Sequence, residues 1–395
     1  MHRRFLVILS VLFAFAYVPS VAAQSKSAGP QQFEVKAKQI YMVEAETGTV
    51  LLARNEDEVV PAASLAKLMT MAVVFKALKS GDISIDTQYP VSEHAWRTGG
   101  APSRASTMFA ALKSNIRVQD LVRGVIVQLA NDACIVLGEG MSGSEPAFAA
   151  RMTKEARELG LRSSSFTNAT GLPDPLMPGP VSMTSMRDLV DLARHLYAEY
   201  PDFYAYYAEP EFEWNKIRQR NKNPLLPLNI GADGLGTGFA EGYGYAIVAS
   251  VNRDGKRIFL AMSGMESEKI RIEETRRVIE WAMSSFERRT LFKADEPIAE
   301  ASVYGGDAPV VPLVAAEPVD VFLPVDNPEK LVARVVYVWP IRAPVSPGEE
   351  VGVLRIWNGG KLLREVPVKT AGTVSLGTLT TRAVDALQEL LFFWL

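Results

Sequence analysis

The chain has 395 residues, enough for two domains, and its 48% apolar and 22% charged residues are the balance of a globular protein with a full core. A net charge of −3, with no basic run or interleaved aromatic stripe, excludes nucleic acid as an expected partner. The single cysteine, Cys134, excludes an internal disulfide, and no histidine pair has metal-ligand spacing, so no metal and no cofactor are expected.

The chain opens with Met1-His2-Arg3-Arg4, an apolar run from Phe5 to Val18, and the small residues Val21-Ala22-Ala23. The run is short for a membrane span, so residues 1–23 read as a cleaved secretory signal. Export without disulfides suits a bacterial periplasm. Residues 24–36 are polar and read as a flexible lead. Ile40–Ala45 and Thr49–Arg54 flank Glu46-Thr47-Gly48 and predict a hairpin. Ser64 to Leu78 is apolar nearly all round, which predicts a buried central helix, with Gly81 as its stop. Val118–Gln128 and Ala133–Gly138 predict two helices broken near Ala130-Asn131-Asp132, with Cys134 as a small core residue. Pro146–Leu159 and Ser185–Tyr197 predict amphipathic helices.

Ile230–Gly244 is glycine-rich and has no clear period. Tyr245–Val251 and Arg257–Met262 predict strands joined through Asn252-Arg253-Asp254-Gly255. Glu268–Arg288 predicts one long helix. Strands at both ends and helices between them make an α+β layout with an antiparallel sheet. Beyond residue 290 the chain turns rich in Val and Pro, and Val351–Trp357 and Leu362–Val366 around Asn358-Gly359-Gly360 predict a small β domain. Thr380–Leu395 places Ala383, Leu387, Leu390, Leu391 and Trp394 on one helical side and Arg382, Asp385 and Glu389 on the other. Such a helix is too short to span a bilayer but suits its surface, so membrane contact is expected there. Packing on protein is the alternative.

The chemistry concentrates at Ser64-Leu65-Ala66-Lys67. A serine hydroxyl is a poor nucleophile until a base takes its proton. Lys67, one helical turn on, can be that base if desolvation or a nearby cation lowers its pKa. Ser64 at a helix start also offers its backbone N–H to an oxyanion. The bare spacing arises easily by chance. Its place at the head of a buried helix, where a lysine is costly without a purpose, lifts it above that level.

The chain resembles the low-molecular-mass penicillin-binding proteins of the serine D-alanyl-D-alanine carboxypeptidase family. The resemblance rests on Pro61-Ala62-Ala63-Ser64-Leu65-Ala66-Lys67-Leu68-Met69-Thr70, Asn131-Asp132-Ala133, Asn168-Ala169-Thr170-Gly171-Leu172 and Gly234-Leu235-Gly236-Thr237-Gly238. It implies a β-lactamase/transpeptidase-like catalytic domain over residues 37–290, a β-rich domain over 291–378 and a terminal amphipathic helix over 379–395. It further implies Ser64 as nucleophile, Lys67 as general base, and Asn131 positioning substrate or lysine. Gly236, Thr237, Gly238 and Phe239 would bind substrate, the last through its backbone N–H.

Two motifs depart from the family pattern. The second reads Ser-Gly-Asn in the family and Leu129-Ala130-Asn131 here; the third reads Lys-Thr-Gly there and Gly236-Thr237-Gly238 here. The lost serine removes a proton relay, worth about 10²–10⁴ in rate. The lost lysine removes a carboxylate-binding cation, worth roughly 2–5 kcal/mol, and a charge that would depress the pKa of Lys67. Asn221-Lys222-Asn223 carries lysine where the family has arginine, and Lys222 is a candidate replacement cation.

Three functions compete. The first is a periplasmic carboxypeptidase acting on peptidoglycan stem peptides ending in D-Ala-D-Ala, open to β-lactam antibiotics and weakened in turnover. The second is a catalytically impaired homologue that binds peptidoglycan or partners as a scaffold. The third is a related serine hydrolase with an altered substrate. Glu241, Tyr243, His94, His195 and Ser106 are read as ordinary loop or surface residues, with no partner in view for His94.

Overall fold

The structure, a computed structural model, describes residues 33–173, 179–327, 329–338 and 340–383. The secretory signal expected at 1–23, nearly all of the flexible lead, and the terminal helix from residue 384 onward lie outside the described residues. No helix among the described residues is long and apolar enough to cross a membrane.

Strands β1 (Gln39–Glu44) and β2 (Val50–Arg54) form the expected hairpin. Its turn is built on Glu44, whose carboxylate accepts from the backbone N–H groups of Glu46 (2.9 Å) and Thr47 (2.7 Å). Two short pairings follow along the chain. One joins β3 (Val60–Pro61) to β6 (Met183–Thr184), and the other joins β4 (Gln88–Pro90) to β5 (Asn115–Arg117). Between them lie α1 (Ala66–Ser80), α2 (Val118–Gln128), α3 (Asn131–Ser142) and α4 (Glu145–Glu158). α1 is enclosed by α3, α4 and by α5 (Met186–Glu199), which explains why it is apolar on nearly every side. Gly81 ends it in the left-handed region (φ 77°), as the glycine stop predicts. Ser144 and Ser185 cap α4 and α5 by accepting from Ala147 and Asp188.

After the short helix α6 (Pro201–Tyr204) comes a hairpin not anticipated from sequence, β7 (Glu211–Trp214) with β8 (Ile217–Arg220). Its signal was present: alternating Phe212, Trp214, Ile217 and Gln219 about a turn at Asn215-Lys216, both residues at positive φ. The glycine-rich stretch becomes β9 (Ala232–Ala240). β10 (Gly244–Arg253) and β11 (Lys256–Met265) meet at Asp254-Gly255, both left-handed.

The main sheet runs β2-β1-β11-β10-β9, antiparallel throughout, leaving β9 at an edge. One face, with Phe259 and Ala261, joins the helical core under α5. The other lies under α7 (Glu268–Ser285), where Thr275 approaches the Met262 sulfur. The helix expected to reach Arg288 stops at Ser285. Phe286 is extended because its ring is buried between Trp281 (5.3 Å) and Phe322 (6.0 Å).

β12 (Phe286–Phe292) pairs with β15 (Val319–Pro324). β13 (Pro297–Tyr304), β14 (Val310–Val314), β16 (Leu331–Tyr337), β17 (Ile341–Arg342), β18 (Glu350–Asn358) and β19 (Lys361–Thr370) make a second sheet, ordered β16-β18-β19-β14-β13-β17. This β-rich part has its own apolar cluster, including Val303, Leu313, Val321, Leu354, Ile356 and Val368.

Candidate active site

Ser64 does not sit in the α-helix proper. It occupies a 3-10 turn, Ala63–Leu65, that feeds α1, and Ala63 before it is left-handed (φ 45°). The turn leaves Ser64 partly exposed while Leu65 and Lys67 are buried. Lys67 Nζ donates to Ser64 Oγ (3.2 Å) and to the Thr170 carbonyl (3.0 Å). Burial pushes the Lys67 ammonium down to about 8. Cys134 acts the other way only as a thiolate, and burial pushes that thiol up to about 12, so it stays neutral and exerts little pull. Burial is therefore the cause of the lowered lysine pKa.

Thr170 belongs to a loop that the Asn168 side chain shapes. Asn168 Oδ1 accepts from the backbone of Thr170 (3.1 Å) and Gly171 (2.7 Å), and Nδ2 donates to the Leu172 carbonyl (2.6 Å). Thr70 on α1 donates to Ala169 O (2.7 Å), and Ala169 N donates to Glu145 (3.0 Å). Gly171 is required twice over. Its φ is +76°, and a Cβ there would stand 1.9 Å from the carbonyl of Ala63. Gly171→Ala is expected to destabilise the protein by about 2–4 kcal/mol and to lower its thermal midpoint. An unchanged midpoint would contradict the packing of this loop on the Ser64 turn.

α2 ends at Leu129 in the left-handed region (φ 54°). Leu129 lines a gap of about 10 Å³ with Ser64, Lys67, Tyr207 and Gly236. That is room for about one water molecule at most. Asn131 begins α3, is buried, and donates its backbone N–H to Ser106 O (2.8 Å). Its side chain does not line that gap. It opens on a neighbouring cleft of about 320 Å³ beside His94, Glu145 and Thr170, and its Oδ1 has no partner among the described residues. Among the described residues, the hydrogen bonds of Lys67 run to Ser64 and Thr170 rather than to Asn131.

The third motif lies on edge strand β9. A Cβ on Gly238 would come 3.2 Å from the Leu65 side chain, so glycine lets the strand approach the nucleophile turn closely. Thr237 is buried; Phe239 is 52% exposed and packs on Tyr245 at 4.7 Å. A Cβ on Gly236 would meet only Leu129 and Leu65, each at 3.9 Å. Lys222 is exposed, and its backbone N–H donates to Val127 O (2.9 Å), next to the end of α2.

Sequence reasoning assigned no role to two groups here. The Thr170 carbonyl is a backbone atom and leaves no residue-type signal. Asp132 is fully buried and accepts from Thr107 Oγ1, Met108 N (3.0 Å), Ala110 N (2.9 Å) and Ala133 N (3.0 Å), fixing the 107–110 loop to α3. His94, read as unpartnered, in fact meets Glu145 at 3.0 Å, because the fold brings α4 beside its loop. His195 is half-buried against Tyr200, and burial lowers its pKa.

Residues 24–267 match the family model described as D-alanyl-D-alanine carboxypeptidase, and residues 286–375 match that of the penicillin-binding protein 5 C-terminal domain. The chain is 33% identical over 386 residues to D-alanyl-D-alanine carboxypeptidase DacC of Escherichia coli, covering 97% of this chain and 94% of that one. Among solved structures it is similar to penicillin-binding protein 5 from Haemophilus influenzae, with TM-score 0.76, 31% identity, and coverage of 88% of this chain and 100% of that one. It is also similar to penicillin-binding protein D2 from Listeria monocytogenes in a cefotaxime-bound form, with TM-score 0.56, 27% identity, and coverage of 63% and 97%. With two family models matched in succession and relatives aligned over nearly the whole length, this chain belongs to the D-alanyl-D-alanine carboxypeptidase family.

Proposed function

We propose that this chain removes the terminal D-alanine from peptidoglycan stem peptides in the periplasm, through an acyl-enzyme on Ser64. Residues 37–290 are the catalytic domain in this proposal, and 291–378 the appended β domain. The observation that carries the proposal is the Ser64–Lys67 pair at 3.2 Å, with the lysine buried and its pKa lowered to about 8.

Neutral Lys67 takes the Ser64 proton as Oγ attacks the carbonyl of the penultimate D-alanine. The backbone N–H groups of Ser64 and Phe239 hold the resulting oxyanion. Collapse breaks the amide bond, and Lys67 returns its proton to the departing D-alanine amine. Water, deprotonated by the same lysine, then hydrolyses the ester and frees Ser64. Asn131 positions the peptide amide, and Thr237 on the β9 edge, flanked by Gly236 and Gly238, hydrogen-bonds the substrate carboxylate. A β-lactam enters the same path, its strained amide opening as Ser64 is acylated.

Only neutral Lys67 can accept a proton. The acylation rate is therefore expected to rise about tenfold per pH unit below about 8 and to level above it. Penicillin acylation rates between pH 6 and 10 measure this, and a flat profile would remove Lys67 as the base.

The packing of Leu129 supports slow turnover. An apolar side chain stands in the gap beside Ser64 and Lys67, where the family serine would relay a proton. The same observation favours a second reading, a homologue that captures stem peptides and holds them as a scaffold. Incubation with a penicillin, followed by intact mass and a D-alanine release assay, separates the two. Adduct and release support the carboxypeptidase; neither, at high drug and long times, supports the scaffold.

A further inference from the structure

Adjoining the nucleophile turn at Ala63 lies a shallow pocket of about 180 Å³, of whose lining the proposed chemistry uses only the Phe239 backbone N–H. It is lined by Val60, Pro61 and Ala63 before Ser64, by Phe239 and Tyr243 from the β9–β10 hairpin, and by a polar row of Gln39 on β1, Ser263 on β11 and Glu58 just before β3. Phe239 and Tyr243 are 52% and 49% exposed, two large rings left open within a few residues of each other. Exposed aromatics of this kind mark contact surfaces. The polar row is organised in advance. Ser263 Oγ donates to Gln39 Oε1 (2.8 Å), and Gln39 Nε2 donates to Glu58 Oε2 (2.9 Å). Ser263 and Gln39 are buried, and Gln39 steadies one oxygen of the exposed Glu58, whose Oε1 accepts from no described residue.

We infer that this shelf binds a sugar ring of the glycan that carries the stem peptide. The inference rests on the peptidoglycan substrate proposed above. Aromatic faces receive the C–H face of a pyranose, and a fixed carboxylate accepts from its hydroxyls, the combination of apolar platform and few placed polar groups that defines a small-molecule site. Reach selects the occupant. The four residues between the sugar and the scissile carbonyl span at most about 14 Å when extended. With that carbonyl at Ser64, a shelf that begins at Ala63 lies within that span.

The test compares the unmodified chain with Tyr243→Ala and Glu58→Gln, using a disaccharide-linked pentapeptide and the same pentapeptide without sugar. In each variant KM for the disaccharide form rises about five- to tenfold, and KM for the bare peptide does not move. Equal shifts for both substrates, or no shift for either, would overturn the sugar site. The disaccharide alone, titrated onto the Ser64→Ala chain, reads the shelf without any turnover. Binding there that Tyr243→Ala weakens supports the inference even if D-alanine release fails, and absence of binding overturns it even if release succeeds.

Discussion

Ser64→Ala abolishes the mass increase on incubation with penicillin and lowers D-alanine release by about 10³-fold or more. The hydroxyl is the atom that forms the covalent bond, and no other group in the gap replaces it. Lys67 loses one of its two hydrogen-bond partners in this variant but keeps the Thr170 carbonyl at 3.0 Å. Ser64 is partly exposed, so removing its oxygen leaves little unpaired in the interior. The fold therefore survives, and the thermal midpoint checks that the loss is chemical. An adduct of equal yield in Ser64→Ala would place the nucleophile elsewhere.

Restoring both departures, Leu129→Ser with Gly236→Lys, raises turnover by about 10²–10⁴-fold. Each change fits the site as it stands. Leu129 already holds a left-handed conformation (φ 54°), so serine adds no backbone strain, and shortening the side chain opens the 10 Å³ gap for a relay. A side chain on Gly236 starts 3.9 Å from Leu129 and Leu65, ordinary contact distance, and the shorter residue at 129 widens that space. The new cation also lowers the lysine pKa further, so the pH profile moves to lower pH alongside the gain in rate. The two sites share a gap, and their effects are expected to be non-additive, the double change exceeding the sum of the single changes. Failure of the double change to gain activity would mean that the cleft differs beyond these two positions.

Much of the frame was legible because it is local. α2 runs from Val118 to Gln128, the span that its apolar spacing predicts, and the β10–β11 turn falls at Asp254-Gly255 as the Asn252–Gly255 stretch implies. Where long-range packing decides, periodicity fails. β9 carries three glycines between Gly234 and Gly238, so its strand character comes from pairing with β10 rather than from side chains. Phe286 leaves the helix because Phe322, distant in sequence, buries its ring. The β7–β8 hairpin alternates charged with other residues in Glu211–Trp214 and Ile217–Arg220, and it matters because its exit holds the Lys222 backbone against Val127.

Sequence alone determined that Ser64 and Lys67 meet, since residues three apart at a helix start face the same way, and their side chains lie 3.2 Å apart. Leu129 and Gly236, at positions where the resemblance implies serine and lysine, are likewise read directly from the chain. The basicity of Lys67 was a tertiary matter. The lysine lies in a helix enclosed by three others, and that desolvation is the largest cause of its lowered pKa. The position of Asn131 was equally beyond sequence: the resemblance implied a place beside substrate or Lys67, and the fold sets it on the cleft of about 320 Å³. Spacing along a helix fixes direction, while charge state and cavity shape depend on what the rest of the chain packs around it.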